Sequence, residues 1–120
     1  MLILIAEDDE LILKTIEHKL VKEDFEVILT RNGREAITMI NEKKPDVVIT
    51  DIMMPFASGI EILSALQDME LDPPPQVIVL SSMGQEDVVV EAFNLGASDF
   101  MVKPFSPNEL ILRVKRLKKK

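Results

Sequence analysis

Five short apolar runs punctuate the chain, at residues 2–6, 27–30, 47–50, 77–81 and 100–102. The first four are rich in Val, Ile and Leu, the fifth is Phe100-Met101-Val102, and all read as strands. Between the runs, apolar residues recur at helical spacing. Leu13, Ile16, Leu20 and Val21 form the first such set, and Ala36, Ile37 and Ile40 the second. Ile60, Leu63 and Leu66 form the third, Val88, Ala92 and Leu95 the fourth, and Leu110, Val114 and Leu117 the fifth. A fivefold alternation of strand and helix predicts an α/β fold, a parallel sheet with helices on both faces. The first, third and fourth runs are the most uniformly apolar and belong at the centre of the sheet. The second is flanked by charge and the fifth begins with Asp99, so both suit an edge. The punctuation agrees. Asn32-Gly33 and Lys44-Pro45-Asp46 read as turns. Asp72-Pro73-Pro74-Pro75 stops any helix before the fourth strand. Gly96 reads as the residue that ends the fourth helix. Ser106-Pro107-Asn108-Glu109 opens the last one as N-cap, first-turn proline and N3 glutamate.

Composition changes this picture only in places. At 120 residues the chain has the length of one domain, spanning 1–120. It has five Phe and neither Tyr nor Trp, so aliphatic side chains must fill the core. The formal net charge of −7 argues against direct nucleic-acid binding, which needs a basic footprint. The lysines and arginine of residues 115–120 fit a solvated last helical turn, where cations suit the helix dipole; the sharper reading is the start of a linker. Without Cys there is no disulfide framework and no thiol chemistry. The opening apolar stretch is too short for a signal sequence, and no segment reaches the length of a bilayer span. A cytoplasmic location is expected, without membrane attachment.

The candidate chemistry lies where the runs end. Asp51 follows the third run, and an unpaired carboxylate is costly to bury in a core. It makes sense at the carboxyl end of a strand, the edge where open parallel sheets place ligands. The first run leads into Glu7-Asp8-Asp9, the fourth ends at Ser81 and the fifth leads into Lys103-Pro104. Asp8, Asp9 and Asp51 at adjacent strand ends would repel one another. A hard divalent cation such as Mg²⁺ would compensate, held by carboxylates, water and a phosphate oxygen. With Lys103 as a fixed positive charge, a carboxylate so flanked could act as nucleophile towards a phosphoryl group and form an acyl phosphate. The hydroxyl of Ser81 could donate to a phosphoryl oxygen. Any one of these acids alone would be an ordinary loop residue; all of them together, each ending an apolar run, make a site.

With those residues in view, the chain resembles the receiver domain of two-component response regulators over its whole length. The motifs are Asp8-Asp9 after the first strand, Asp51-Ile52-Met53-Met54-Pro55 with Gly59, Ser81-Ser82, Gly96-Ala97-Ser98-Asp99-Phe100, and Lys103-Pro104-Phe105. The resemblance implies a flavodoxin-like, doubly wound five-stranded sheet in the order 2-1-3-4-5 with five helices. It implies Asp51 as phosphoacceptor, charged by a sensor histidine kinase or phosphotransfer protein. Mg²⁺ would be bound by Asp9 and Asp51, by Asp8 through water, and by the backbone carbonyl of Met53. Lys103 would pair with the phosphoryl group, with a cis bond to Pro104. Ser81 and Phe100 would be the switch residues, acting on the surface of the fourth helix, fifth strand and fifth helix. Phe100 stands where Tyr is frequent and Ser81 where Thr is frequent. The stretch 109–114 resembles the last helix of receivers joined to winged-helix DNA-binding domains, whose dimer face is held by salt bridges. Asp99 and Arg113 fit that homodimer and Asn94, in place of an acid, does not.

Several residues have plainer readings. Met53, Met54 and Met83 fill irregular gaps near the site, or Met53 and Met83 shield an acyl phosphate from water. His18 stands among charged neighbours on the first helix, as an exposed residue. Val88-Val89-Val90 cannot all face one side of a helix, so some of this patch should be open to a partner. A phosphorylation-independent pseudo-receiver would lack an acid, the Lys or Asp51, and none is missing. An aspartyl phosphohydrolase would want an acid two residues after the nucleophile, where Met53 stands. The chain therefore reads as a switch rather than a turnover enzyme. A dinucleotide-binding enzyme would need a Gly-rich loop after the first strand.

Overall fold

A computed structural model of the chain describes residues 1–54, 56–82 and 86–118. The strands are β1 (Leu2–Ala6), β2 (Glu26–Thr30), β3 (Val47–Asp51), β4 (Gln76–Ser81) and β5 (Asp99–Val102). The helices are α1 (Glu10–Lys22), α2 (Gly33–Lys43), α3 (Gly59–Asp68), α4 (Glu86–Asn94) and α5 (Pro107–Lys118). The strands form one parallel sheet in the order β2-β1-β3-β4-β5. This is the expected flavodoxin-like winding, with the second and fifth strands at the edges. Because strand side chains alternate, the sheet builds two cores. Ile3, Ile5, Val47, Ile49, Ile78, Leu80 and Met101 pack against α1 and α5. Leu4, Ala6, Val48, Val77 and Val79 pack against α2, α3 and α4. Both faces of the central strands are buried, which is why those runs carry no polar alternation.

The helix sets are borne out with two adjustments. Val21 is exposed, and Ile62, outside the third set, is fully buried. Asn32-Gly33, expected as a turn, instead starts α2. The Asn32 side chain accepts the Glu35 amide at 2.8 Å, as an N-cap does. Gly96 ends α4 as expected, with φ +105°. The Ala97 amide reaches the Ala92 carbonyl and the Gly96 amide the Phe93 carbonyl, both at 3.0 Å, the two bonds of a Schellman motif. Ser106 caps α5. In α4 only Ala92 is fully buried; Val88 and Val89 are half-buried and Val90 is exposed. That helix is fastened at its carboxyl end, where Gln67 Nε2 also donates to the Leu95 carbonyl at 2.9 Å. Among the described residues no helix is long and apolar enough to cross a membrane.

Candidate functional site

Register brings the polar strand ends together. Ala6 pairs with Thr50, so Glu7 and Asp51 follow side by side. Ser81 pairs with Val102, so Lys103 follows on the far side of β4. The Lys103 amide donates to the Ser81 carbonyl at 2.7 Å, and the Lys103–Pro104 bond is cis, as expected. Strand alternation then sorts the side chains. Glu7 continues the series Ile3, Ile5; Asp51 continues Val47, Ile49; Lys103 continues Met101. All three therefore project on the α1/α5 side. Ser81 and Phe100 belong to the opposite series, facing α4.

The Lys103 ammonium lies 2.9 Å from Asp51 Oδ2 and 3.0 Å from Glu7 Oε2. Glu7 is fully buried and Asp51 nearly so. Burial, then the neighbouring Asp51 carboxylate, pushes the Glu7 carboxyl above its usual range, and Lys103 only partly opposes this. Burial by itself would lower the Lys103 pKa. The Asp51 and Glu7 carboxylates outweigh it and hold the ammonium firmly charged. Glu7, Asp8 and Asp51 each present an oxygen within 4.8 Å of the others. Asp9 does not join them. It is the N-cap of α1, where its Oδ1 accepts the Leu11 and Ile12 amides at 3.0 and 3.2 Å. The acidic pair beside Asp51 is thus Glu7-Asp8, one position earlier than the expected Asp8-Asp9.

Does this set suit a metal? Glu7 Oε2 is buried, and among the described residues its partner is the Lys103 ammonium at 3.0 Å, an ion pair without good hydrogen-bond geometry. Two acids besides Asp51 leave the cluster with more negative than positive charge. Hard oxygen donors of this kind fit Mg²⁺. Asp8 is exposed, so the cluster opens to solvent on one side.

Around this centre, Met53 is exposed and Met54 half-buried; Met83 and Pro55 lie outside the described residues. Phe100 is half-buried, its ring 5.5 Å from that of Phe93 and nearly perpendicular to it. His18 is exposed, as expected. Arg113 meets both Asp99 oxygens, at 2.7 and 2.8 Å, and Glu109 Oε2 at 2.8 Å. Those two carboxylates, Asp99 foremost, raise its pKa. Asp99 and Arg113 are therefore paired within the chain.

The loop after Asp51 is held by contacts that the sequence did not single out. The Gly59 amide donates to the Ile52 carbonyl at 2.9 Å, and a Cβ on Gly59 would lie 2.7 Å from the Asp51 carbonyl oxygen. Ser58 and Glu61 close a capping box at the start of α3. Arg34 of α2 lies over the ring of Phe56.

Comparison with known proteins gives one answer. The chemotaxis protein CheY of Listeria monocytogenes is 43% identical over 92% of this chain and 93% of its own length. The transcriptional regulatory protein SrrA of Staphylococcus aureus is 37% identical over 96% of this chain, which spans 46% of that longer protein. The receiver domain of the Francisella response regulator 1452 superposes with a TM-score of 0.89 at 34% identity, over 98% of this chain and 96% of that one. Residues 3–115 match the family described as the response regulator receiver domain, and the chain belongs to that family.

Proposed function

We propose that Asp51 is the phosphoacceptor of a signalling switch, charged by a sensor histidine kinase or phosphotransfer protein in the cytoplasm, the whole of 1–120 acting as one receiver unit. The observation that carries this reading is the Lys103 ammonium set 2.9 Å from Asp51 within a cluster of two further acids. A structural ion pair alone would need one carboxylate, not three.

In the proposed step an Asp51 oxygen attacks the phosphorus of a phosphohistidine. The P–N bond breaks with its electron pair staying on the ring, which leaves as neutral imidazole bearing the proton already on its other nitrogen, and an acyl phosphate forms. Lys103 passes from the carboxylate to a phosphoryl oxygen, and the Ser81 hydroxyl donates to another. Glu7 and Asp8, with the Met53 carbonyl, would hold Mg²⁺ beside Asp51, leaving Asp9 to cap α1. When bound, Mg²⁺ supplies the positive charge that lets two anionic groups approach. An apolar depression of about 210 Å³ borders Lys103, lined by Leu11, Ile12, Thr15, Pro104 and Phe105. It gives the phosphodonor's carrier a surface on which to sit.

The output is read on α4, β5 and α5, where Val90, Phe93 and Val102 are exposed. A homodimer through that face would have to re-pair Arg113, already held by Asp99 and Glu109. The test is incubation with a small acyl phosphate and Mg²⁺, followed by intact mass. A gain of one phosphoryl group, absent in Asp51→Ala, is expected. No gain in either protein would make the chain a phosphorylation-independent interaction module. Many turnovers of a phosphomonoester would make it a hydrolase.

A further inference from the structure

The loop between Asp51 and α3 contains a residue in a costly conformation. Phe56 has φ +69°, the left-handed region that an L side chain with a bulky Cβ substituent avoids. The residue is 71% exposed, so burial does not offset that cost. Such a conformation persists only where its surroundings impose it. Here they come from α2. The Arg34 guanidinium lies 5.6 Å from the Phe56 ring centroid, within the range of cation–π attraction. One residue earlier, the α2 backbone at Gly33 touches the loop so closely that a Cβ there would lie 1.9 Å from the Ala57 carbonyl oxygen. The other end of the loop is fixed to α3 through Gly59 and Ser58.

We propose that Arg34 and Phe56 are a positioning pair, by which α2 sets the backbone of the loop that carries Met53 past the acidic cluster. Arg34 touches none of the reacting groups and acts through the loop. The inference rests on the reading of Asp51 as a phosphoacceptor with the Met53 carbonyl beside its metal. The strain gives the pair a signature. Without Arg34, Phe56 relaxes from the left-handed region and the loop loosens. With Asn at position 56, which tolerates that region, the loop keeps its shape and Arg34 becomes dispensable.

The experiment compares the wild type, Arg34→Ala, Phe56→Asn and the double variant. Mg²⁺ is titrated into each, and amide hydrogen exchange is followed over residues 52–54 and 56–58 in the metal-free proteins. Arg34→Ala should weaken Mg²⁺ binding and speed loop exchange by about two- to fivefold, the factor equivalent to an exposed cation–π contact. Its global unfolding equilibrium should shift by no more than the same factor. Phe56→Asn should match the wild type, and the double variant should match Phe56→Asn. Wild-type exchange and affinity in Arg34→Ala, or a double variant as impaired as Arg34→Ala alone, would overturn the proposal. A wild type that binds no Mg²⁺ would remove the metal reading instead, and the metal-free exchange data would still decide whether the pair holds the loop.

Discussion

Burial beside Asp51 makes the ionised form of Glu7 costly to the fold. Glu7 is fully buried, it faces Asp51, and its pKa is raised despite the nearby Lys103 ammonium. An acid with a raised folded pKa binds its proton more tightly in the folded state than in the unfolded chain. Its contribution to stability is therefore full below the ordinary value of 4.5 and is lost as pH rises through the folded value. Glu7→Gln should remove that slope and stabilise the metal-free protein at neutral pH by about 1 kcal/mol, as relief of a strained functional site commonly does. If Glu7 is one of the proposed ligands, the same variant should weaken Mg²⁺ binding at least about tenfold. Urea unfolding at several pH values, with and without Mg²⁺, checks both; a less stable metal-free variant would show that Lys103 needs Glu7 more than the fold needs to lose its charge. Asp51, Lys103 and Ser81 were legible in the sequence because each ends or follows an apolar run. Glu7 was equally within reach, because a count of two from Ile3 through Ile5 lands on it. Attention to where the run stops, rather than to its period, drew the acidic pair one residue too late. Asp9 looked equivalent because a helix N-cap and a metal ligand call for the same side chain.

At the scale of elements, the strands and the buried helix faces followed from periodicity, since burial on both sheet faces writes itself into the sequence. What periodicity does not carry is contact between elements distant in the chain. Asn32-Gly33 has the composition of a turn, yet Gly33 is buried at the start of α2 against the backbone of Ala57. The glycine is there because no side chain fits, a fact set by the β3–α3 loop rather than by its own neighbours. Phe56 and Arg34 were invisible for the same reason. Gly33→Ala should therefore cost about 2–3 kcal/mol through forced displacement of the loop or of α2. Unfolding in urea measures it. A loss below about 0.5 kcal/mol, as for an ordinary surface change, would mean that the two backbones part easily. In the opposite sense, a helix-favouring replacement ordinarily stabilises an exposed helical glycine, so the sign of the effect separates packing from propensity.

Across the whole molecule, the acid cluster and the proposed switch residues project from opposite faces of the sheet. Glu7, Asp51 and Lys103 lie on the side of α1 and α5, while Ser81 and Phe100 lie on the side of α4. A charge change at Asp51 would therefore act through the strand ends, where β4 lies between β3 and β5, Leu80 pairing with Asp51 and Ser81 with Val102. The proposed receiving element buries little. Helix α4 buries one side chain fully, where α3 buries Ile62, Leu63 and Leu66 as well as Gly59. Among the described residues its ties include Gly96, Gln67 and the Phe93–Phe100 contact at its carboxyl end, and the half-buried Val88 and Val89 near its start. Local opening follows buried contact, so amide exchange in the resting protein should be slowest in β1, β3 and β4 and faster in the described part of α4 than in α3. Phosphorylation should change α4 and leave β1 as it was. Ser81→Ala should still accept the phosphoryl group, because Asp51 and Lys103 remain, but α4 should no longer respond. An α4 as protected as α3, or a full α4 response in Ser81→Ala, would separate the chemistry at Asp51 from this surface and send the signal elsewhere.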